Sequence, residues 1–364
     1  MDVISTIKQL HTKVPGYDLP EKAEKDFLEY LAFLRDREDL LQLAQEYHDG
    51  IWENNSYTLL EVEQLQENDG LEQGMLFMAI YFARYELLDE VMAKRGMPAE
   101  YKLPLLTNIK VQLQKNYDWF GSYGYRFIYR SSTVSTLVPT KFYMGRLICE
   151  ITNFNGPYEI YRSKLTGADV PMARSGYRYL SDGRQTPKDY EGEYFEPTLE
   201  IADGKVTGYT FDQRGCLVKE LISLPLDEYE QILAAGTEIV SLHVPAGQGR
   251  MTPECVDESI ALADKFFNDY YPEKKFPIFM CSSWLMDTAM KDFLKPDSNI
   301  IQFQNRFRVV LTSVNTFSLH WHIFGIEQFV PLEELKPQNS FQQKFWDRAK
   351  AGIPIYSGYG YILR

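Results

Sequence analysis

The sequence predicts an α+β protein, with a helical N-terminal domain followed by a mixed β-sheet domain flanked by helices. Three observations predict it. Through the first third, apolar residues recur at helical spacing. From Trp119-Phe-Gly-Ser-Tyr-Gly-Tyr125 to about residue 245, β-branched and aromatic residues alternate with turn signals. Beyond that, strand and helix signals follow one another. Helices first and mixed elements later argue α+β.

In the first third, Phe27, Tyr30, Leu31 and Leu34 follow Pro20 and mark one helix. Leu40, Leu41, Ala44 and Tyr47 mark a second, which stops near Asp49-Gly50. Gly74–Lys94 reads as a long buried helix and Leu103–Lys115 as a fourth. No repeat unit recurs, so this is a bundle and not a solenoid. The acidic stretch Glu61–Asp69 reads as a solvated helix face.

In the second region, Lys141–Thr152 and Tyr158–Lys164 read as strands, and residues 165–195 as a long polar loop. Pro197–Ala202 and Val206–Phe211 flank Asp203-Gly204, a hairpin signal. Leu226–Ala235 reads as a short helix and Glu238–Val244 as a strand. A helix over 252–269 follows, then a strand over Phe276–Met280. A helix runs from Cys281 to Leu294, with strands over Asn299–Leu311 and Leu319–Val330. The tail carries a helix over Phe341–Lys350 and a Tyr/Gly-rich end.

Length alone suggests two or three domains in 364 residues, and 45% hydrophobic residues supply ample core. The net charge of −13, with no Lys/Arg-rich run, argues against nucleic-acid binding. Cys149, Cys216, Cys255 and Cys281 are scattered without a Cys-x-x-Cys pair, which suits reduced thiols better than a zinc site. No secretory signal or membrane span is visible, so a cytoplasmic location and no membrane partner are expected.

The segment 238–269 carries the chemistry. An apolar strand runs into Ala246-Gly-Gln-Gly-Arg-Met251, and a helix starts at Thr252-Pro-Glu. Such a turn suits a phosphate, because small side chains admit the backbone and helix-start amides lack acceptors. Thr252 is a good N-cap, Pro253 suits the first helical position, and Arg250 adds a forked cation. A plain connection explains the same turn.

His243-Val-Pro-Ala-Gly, Thr252-Pro-Glu-Cys…Ser259, Phe266-Phe267, Cys281-Ser-Ser-Trp-Leu-Met-Asp287, Asp297-Ser-Asn-Ile-Ile-Gln-Phe303 and Gly145-Arg-Leu-Ile-Cys-Glu150 are the segments that carry a family resemblance. They resemble a bacterial GNAT-like acyltransferase family, in which an N-acyltransferase N-terminal domain precedes a GNAT-like C-terminal domain. The resemblance spans roughly 20–340. It implies a helical domain over 1–118 and a GNAT-like domain over 119–364. Within the latter, 119–235 would hold the N-terminal strands, 236–335 the CoA-binding half and 336–364 the tail.

The resemblance also implies two parallel strands that splay apart around an acyl-pantetheine arm, here Ile239–Val244 and Phe276–Met280. Val244, Gly247, Gln248, Gly249, Arg250, Met251 and Thr252 would line the pyrophosphate cradle. Val244 stands where such loops usually carry Arg or Gln, and Arg250 stands on the other side of the turn.

Acyl transfer to an amine needs a base, oxyanion donors and an acid for the thiolate. His243 is the candidate base, with a hydrogen-bonded strand-end histidine as the alternative. The thiolate acid in many such enzymes is a tyrosine on the helix after the second splayed strand. That segment offers none here, so Ser283 is the candidate, with helix capping as the alternative. Trp284, Asp297 and Asn299 are candidate acceptor contacts, which core packing and a turn explain equally well. His320-Trp-His322 would place two imidazoles on one strand face, too weak a signal for a metal.

The function expected is an acyl-CoA-dependent N-acyltransferase, with acetyl-CoA or another acyl-CoA as co-substrate and no metal. The acceptor is a small-molecule or peptide amine attacking directly. The alternative is a catalytically degenerate GNAT-like ligand-binding or interaction protein, and a metal-dependent hydrolase ranks below both.

Overall fold

A computed structural model describes residues 2–10, 19–50, 74–98, 101, 109, 113–114, 116–118, 121–124, 140–187, 189–245, 249–326 and 329–364. The chain divides into two compact units. One comprises Met1–Met144 with Phe266–Tyr271, the other Gly145–Lys265 with Pro272–Arg364. Among the described residues, no helix is long and apolar enough to cross a membrane.

The first unit contains α1 (Val3–Gln9), α2 (Glu21–Leu34), α3 (Glu38–His48), α4 (Met75–Lys94) and strand β1 (Lys141–Met144). The helical stripe of α2 is buried at Phe27, Tyr30, Leu31 and Leu34, and that of α3 at Leu40, Leu41, Ala44 and Tyr47. Both pack with α4, which is apolar along almost its whole length, into one core. The Leu103–Lys115 helix falls largely outside the described residues, and the 61–69 stretch lies wholly outside them.

The second unit holds two antiparallel-rich sheets. Its strands are β2 (Leu147–Asn153), β3 (Tyr158–Ser163), β4 (Asp169–Ala173), β5 (Glu200–Ala202), β6 (Lys205–Phe211), β7 (Leu217–Pro225), β8 (Tyr229–Leu233), β9 (Glu238–His243), β10 (Ile278–Ser283), β11 (Arg308–Val314) and β12 (Tyr356–Leu363). In one sheet the order is β2-β9-β10-β12-β11. In the other it is β5-β6-β4-β3-β8, with β7 also on β6. A buried cluster from Phe154, Tyr158, Ile160, Tyr179 and Phe211 to Ile239, Ile278, Met280, Val310 and Tyr361 lies between them. The helices are α5 (Pro253–Tyr270), whose residues from Phe266 onward count with the first unit, α6 (Asn299–Gln304) and α7 (Ser340–Lys350).

The Asp203-Gly204 hairpin is present. Both residues have φ > 0, at 49° and 71°, as a two-residue turn matching strand twist requires. Several local expectations give way to tertiary pairing. Leu226–Ala235 is not a helix: after Leu226 N–H binds Gly204 C=O, residues 229–233 pair with β3. Ladder hydrogen bonds outweigh the helix propensity of Glu, Gln, Leu and Ala there. The 165–195 loop contains β4, an inner strand of its sheet.

Cys281–Leu294 is not one helix. β10 continues to Ser283, and two short 3₁₀ turns follow at Trp284–Met286 and Thr288–Asp292, capped by the side chains of Ser283 and Asp287. Asn299–Leu311 is not one strand. Ser298 caps the Ile301 amide and opens α6, so the strand starts only at Arg308. Leu319–Val330 is likewise not a strand. The Asn315 side chain accepts from Phe317 and Ser318 amides, a π-helical turn covers 319–324, and Gly325 ends it at φ 69°. The Tyr/Gly-rich tail end is β12, which runs between β10 and β11. Its glycines seat Met286: a Cβ on Gly360 would lie 2.5 Å from Met286 Sδ.

Candidate active site

β9 and β10 are the neighbouring parallel strands of the sheet, and their pairing is brief. The register joins Phe279 to Val240 and Met280 to Ser241. Beyond these pairs β9 stays paired with β2 as far as His243↔Ile148. β10 stays paired with β12 as far as Ser283↔Gly358. The parallel ladder between the two strands therefore ends after Ser241 and Met280. Main-chain groups beyond a ladder's end lack partners on that side, the condition under which a ligand amide can pair with a strand.

α5 starts beside the end of β9. Thr252 Oγ1 accepts from the Cys255 amide at 3.4 Å. Glu254 is fully exposed, and its own backbone N–H, then the Thr252 side chain, hold its carboxyl below the usual range. This placement of an acid at the positive end of the helix follows the dipole. Gly249 has φ 72° with open space where a Cβ would stand, and Arg250 is exposed. Met251 is buried, while Val244 and Thr252 are half-buried. Gly247 and Gln248 lie outside the described residues.

The turn between β1 and β2 braces this corner. Gly145 has φ 59°, and Arg146 N–H donates to Ser259 Oγ at 2.8 Å. Ser259 Oγ donates to Cys255 C=O at 2.6 Å, and Arg146 Nη1 donates to Pro245 C=O at 2.9 Å. Burial pushes the Arg146 guanidinium below its usual range. Arg306 adds a second brace, donating to Pro253 C=O at 3.0 Å and pairing with Asp257.

His243 ends β9 with its side chain 43% exposed. Nε2 lies 2.8 Å from Oε2 of Glu150, which is 20% exposed. Ser283 is the last residue of β10, and its Oγ accepts from the Leu285 amide at 3.1 Å. Alternation along the strands separates Ser283 from His243. Ile239, Ile278 and Met280 face the inter-sheet core, so His243 and Ser282 share that face while Ser283 lies on the other. Ser282 is exposed.

Trp284 stacks on His322 at 5.8 Å with an interplanar angle of 10°, and meets Phe345 edge-on at 6.1 Å. Burial pushes His322 below its usual pKa. His320 Nε2 bonds instead with Val330 C=O at 2.9 Å, so the two imidazoles have separate partners. Asp297 is exposed, and Asn299 opens α6 behind the Ser298 cap.

The Ser-Trp-Leu-Met-Asp and Asp-Ser-Asn segments also serve as scaffold. The buried Asp287 carboxylate accepts from the Ala289 and Tyr356 amides, at 3.0 and 3.1 Å. Gln304 Nε2 donates to the Leu285 and Asp287 carbonyls, at 2.7 and 2.9 Å. Sequence reasoning missed Glu150, Ser282, Arg146 and Arg306. Their partners lie across a ladder or far along the chain, and of the four only Arg306 lies outside the segments that carry the resemblance.

No curated protein matches this chain. Among solved structures, an acyltransferase in complex with decanoyl-CoA and teicoplanin is 17% identical, covers 99% of this chain and 93% of its own, and has a TM-score of 0.60. An acyltransferase in complex with decanoyl-CoA is 14% identical over 100% of both chains, with a TM-score of 0.59. A mutant acyltransferase in complex with octanoyl-CoA is 18% identical, covering 100% of this chain and 86% of its own, with a TM-score of 0.58. At these identities the likeness is one of fold. A family model described as the GNAT-like C-terminal domain matches residues 142–362, well over half of the sequence, and the chain belongs to that family.

Proposed function

We propose that this protein is an acyl-CoA-dependent N-acyltransferase. The observation that carries the reading is the β9–β10 ladder, which stops after Ser241 and Met280 beside the start of α5. A pantetheine arm is an extended amide chain of the right shape to pair with strand edges beyond a ladder's end. Its diphosphate would reach the turn at 247–252, with Gly249 letting the backbone approach and Arg250 supplying charge. Val244 leaves that cradle one polar side chain short, which Arg250 offsets from the other side.

In this reading, His243 accepts the amine proton while Glu150 holds its ring. The amine nitrogen attacks the thioester carbonyl, a C–N bond forms, and the C–S bond breaks. Trp284, with Asp297 and Asn299 further out, would face the acceptor. The related structures hold octanoyl- and decanoyl-CoA, so the donor range to test runs from acetyl to decanoyl.

The test is release of free CoA thiol from acetyl-, octanoyl- and decanoyl-CoA with a panel of small amines and amine-bearing peptides, alongside thermal shift with CoA. A ligand that binds only the folded state raises the midpoint. A CoA-dependent shift that Arg250→Ala weakens, together with amine-dependent thiol release, is the expected result. CoA binding without turnover would favour a degenerate ligand-binding protein. No response to any CoA species would overturn the reading.

A further inference from the structure

Two guanidinium groups brace the corner where β9 gives way to α5, and they differ in charge balance. Arg306 binds the Pro253 carbonyl and pairs with the Asp257 carboxylate, so its charge is met within the protein. Arg146 is held by neutral groups. Its Nη1 donates to Pro245 C=O at 2.9 Å, and its main-chain N–H donates to Ser259 Oγ at 2.8 Å. Among the described residues it has no ion pair, and its Nε is shielded from water without a hydrogen-bond partner. Arg146 is half-buried. A shielded cation without an anion costs the folded state free energy that a charged ligand would offset.

Register explains how this cation reaches the corner. The β2–β9 ladder ends at Ile148↔His243, so two residues further Arg146 stands across from Pro245. Ser259 Oγ, which accepts from the Arg146 amide, donates in turn to Cys255 C=O in the first turn of α5. Arg146 is thereby tied both to the end of β9 and to the start of α5, where free helix amides favour an anion. The chain as a whole carries a net charge of −13, so an anionic ligand depends on local cations of this kind. Val244 supplies no polar side chain to the turn, and Arg146 enters from the neighbouring strand instead. Resting on the acyl-CoA reading, we propose that Arg146 is the counter-charge for the donor's diphosphate, with Nη1 holding the Pro245 carbonyl and Nη2 left for phosphoryl oxygens. The guanidinium suits this role because its fork serves a carbonyl and an anion at once.

The experiment measures binding of CoA and of 3′-dephospho-CoA by calorimetry across a salt series, using full-length wild type, Arg146→Gln and Arg146→Lys. Dephospho-CoA keeps the diphosphate and lacks the 3′-phosphate, the other anion that a cation here would serve. Arg146→Gln is expected to weaken both ligands equally, by about 10- to 100-fold at low salt, and to flatten the salt dependence. Arg146→Lys keeps the charge without the fork, so a smaller loss on both ligands with the salt dependence retained is expected. That variant decides the matter if Arg146→Gln does not fold, and wild-type affinity for both ligands would then overturn the assignment. A loss confined to CoA would move the contact to the 3′-phosphate and overturn it too. So would an Arg146→Gln protein whose affinity falls while its salt dependence stays that of the wild type, the mark of a brace alone. A wild type that binds neither ligand would overturn the acyl-CoA reading itself.

Discussion

His243 Nε2 lies 2.8 Å from Glu150 Oε2 although the two residues are not register partners. Across the β2–β9 ladder His243 faces Ile148 and Glu150 faces Ser241, so the pair is a diagonal one on a single face. A carboxylate only accepts, so Nε2 carries the proton and Nδ1 is the basic nitrogen. His243→Asn should lower kcat by about 10²- to 10⁴-fold while CoA affinity holds. Glu150→Gln should lower it less, by loosening the ring. The double variant should lose little more than His243→Asn alone, since both act through one imidazole. Additive losses in steady-state kinetics would separate the two residues.

At the start of α5 the Glu254 carboxylate occupies the positive end that an anionic ligand would use. Glu254 is exposed, so it costs a diphosphate repulsion and lost amide donors without stabilising a core. Glu254→Gln should therefore tighten CoA binding in calorimetry, most clearly at low ionic strength, where charge is least screened. Unchanged affinity across a salt series would place the diphosphate away from this helix start.

Much of the architecture was legible where one periodicity holds over a long segment. The stripes of α2 and α3 and the helix after Thr252 rest on local spacing and caps, and they are present. The errors share a cause. Residues 226–235 combine helix-forming side chains with a strand's position beside β3. Residues 299–311 alternate well enough to suggest a strand, but the Ser298 cap converts the first half to α6. The glycines of β12 weaken its strand signal, yet Gly358 and Gly360 are what let Met286 pack on it. At the candidate site, His243 and the glycine turn stand out locally. Glu150 reaches His243 only through ladder register, which single-sequence spacing does not encode.

Gly145 meets two demands at once. Its φ of 59° is costly for residues with a Cβ, and a Cβ there would lie 2.9 Å from Ser259 Oγ. That oxygen links the Arg146 amide to the Cys255 carbonyl in the first turns of α5. Gly145→Ala should destabilise the protein by about 1–3 kcal/mol in urea unfolding, from backbone strain and one strained hydrogen-bond relay. CoA affinity should fall with it, because the same turn holds the Pro245 carbonyl through Arg146. A variant with normal stability would show that the turn relaxes without disturbing α5.

His322 supplies the pH-dependent term. Burial against Trp284 depresses its folded pKa below the ordinary 6.5. As pH falls through that value, the unfolded chain takes up a proton that the folded imidazole resists. Stability contributed by this site is thus fully present above about pH 6.5 and declines as pH falls towards the folded pKa, below which it levels off. His322→Phe keeps an aromatic ring over Trp284 but removes the titration. The wild type should lose stability relative to this variant between pH 7.5 and pH 5, read by urea unfolding at each pH. Parallel stability curves for the two proteins would mean that the imidazole ionises as easily folded as unfolded, and that the stack on Trp284 does not shield it from water.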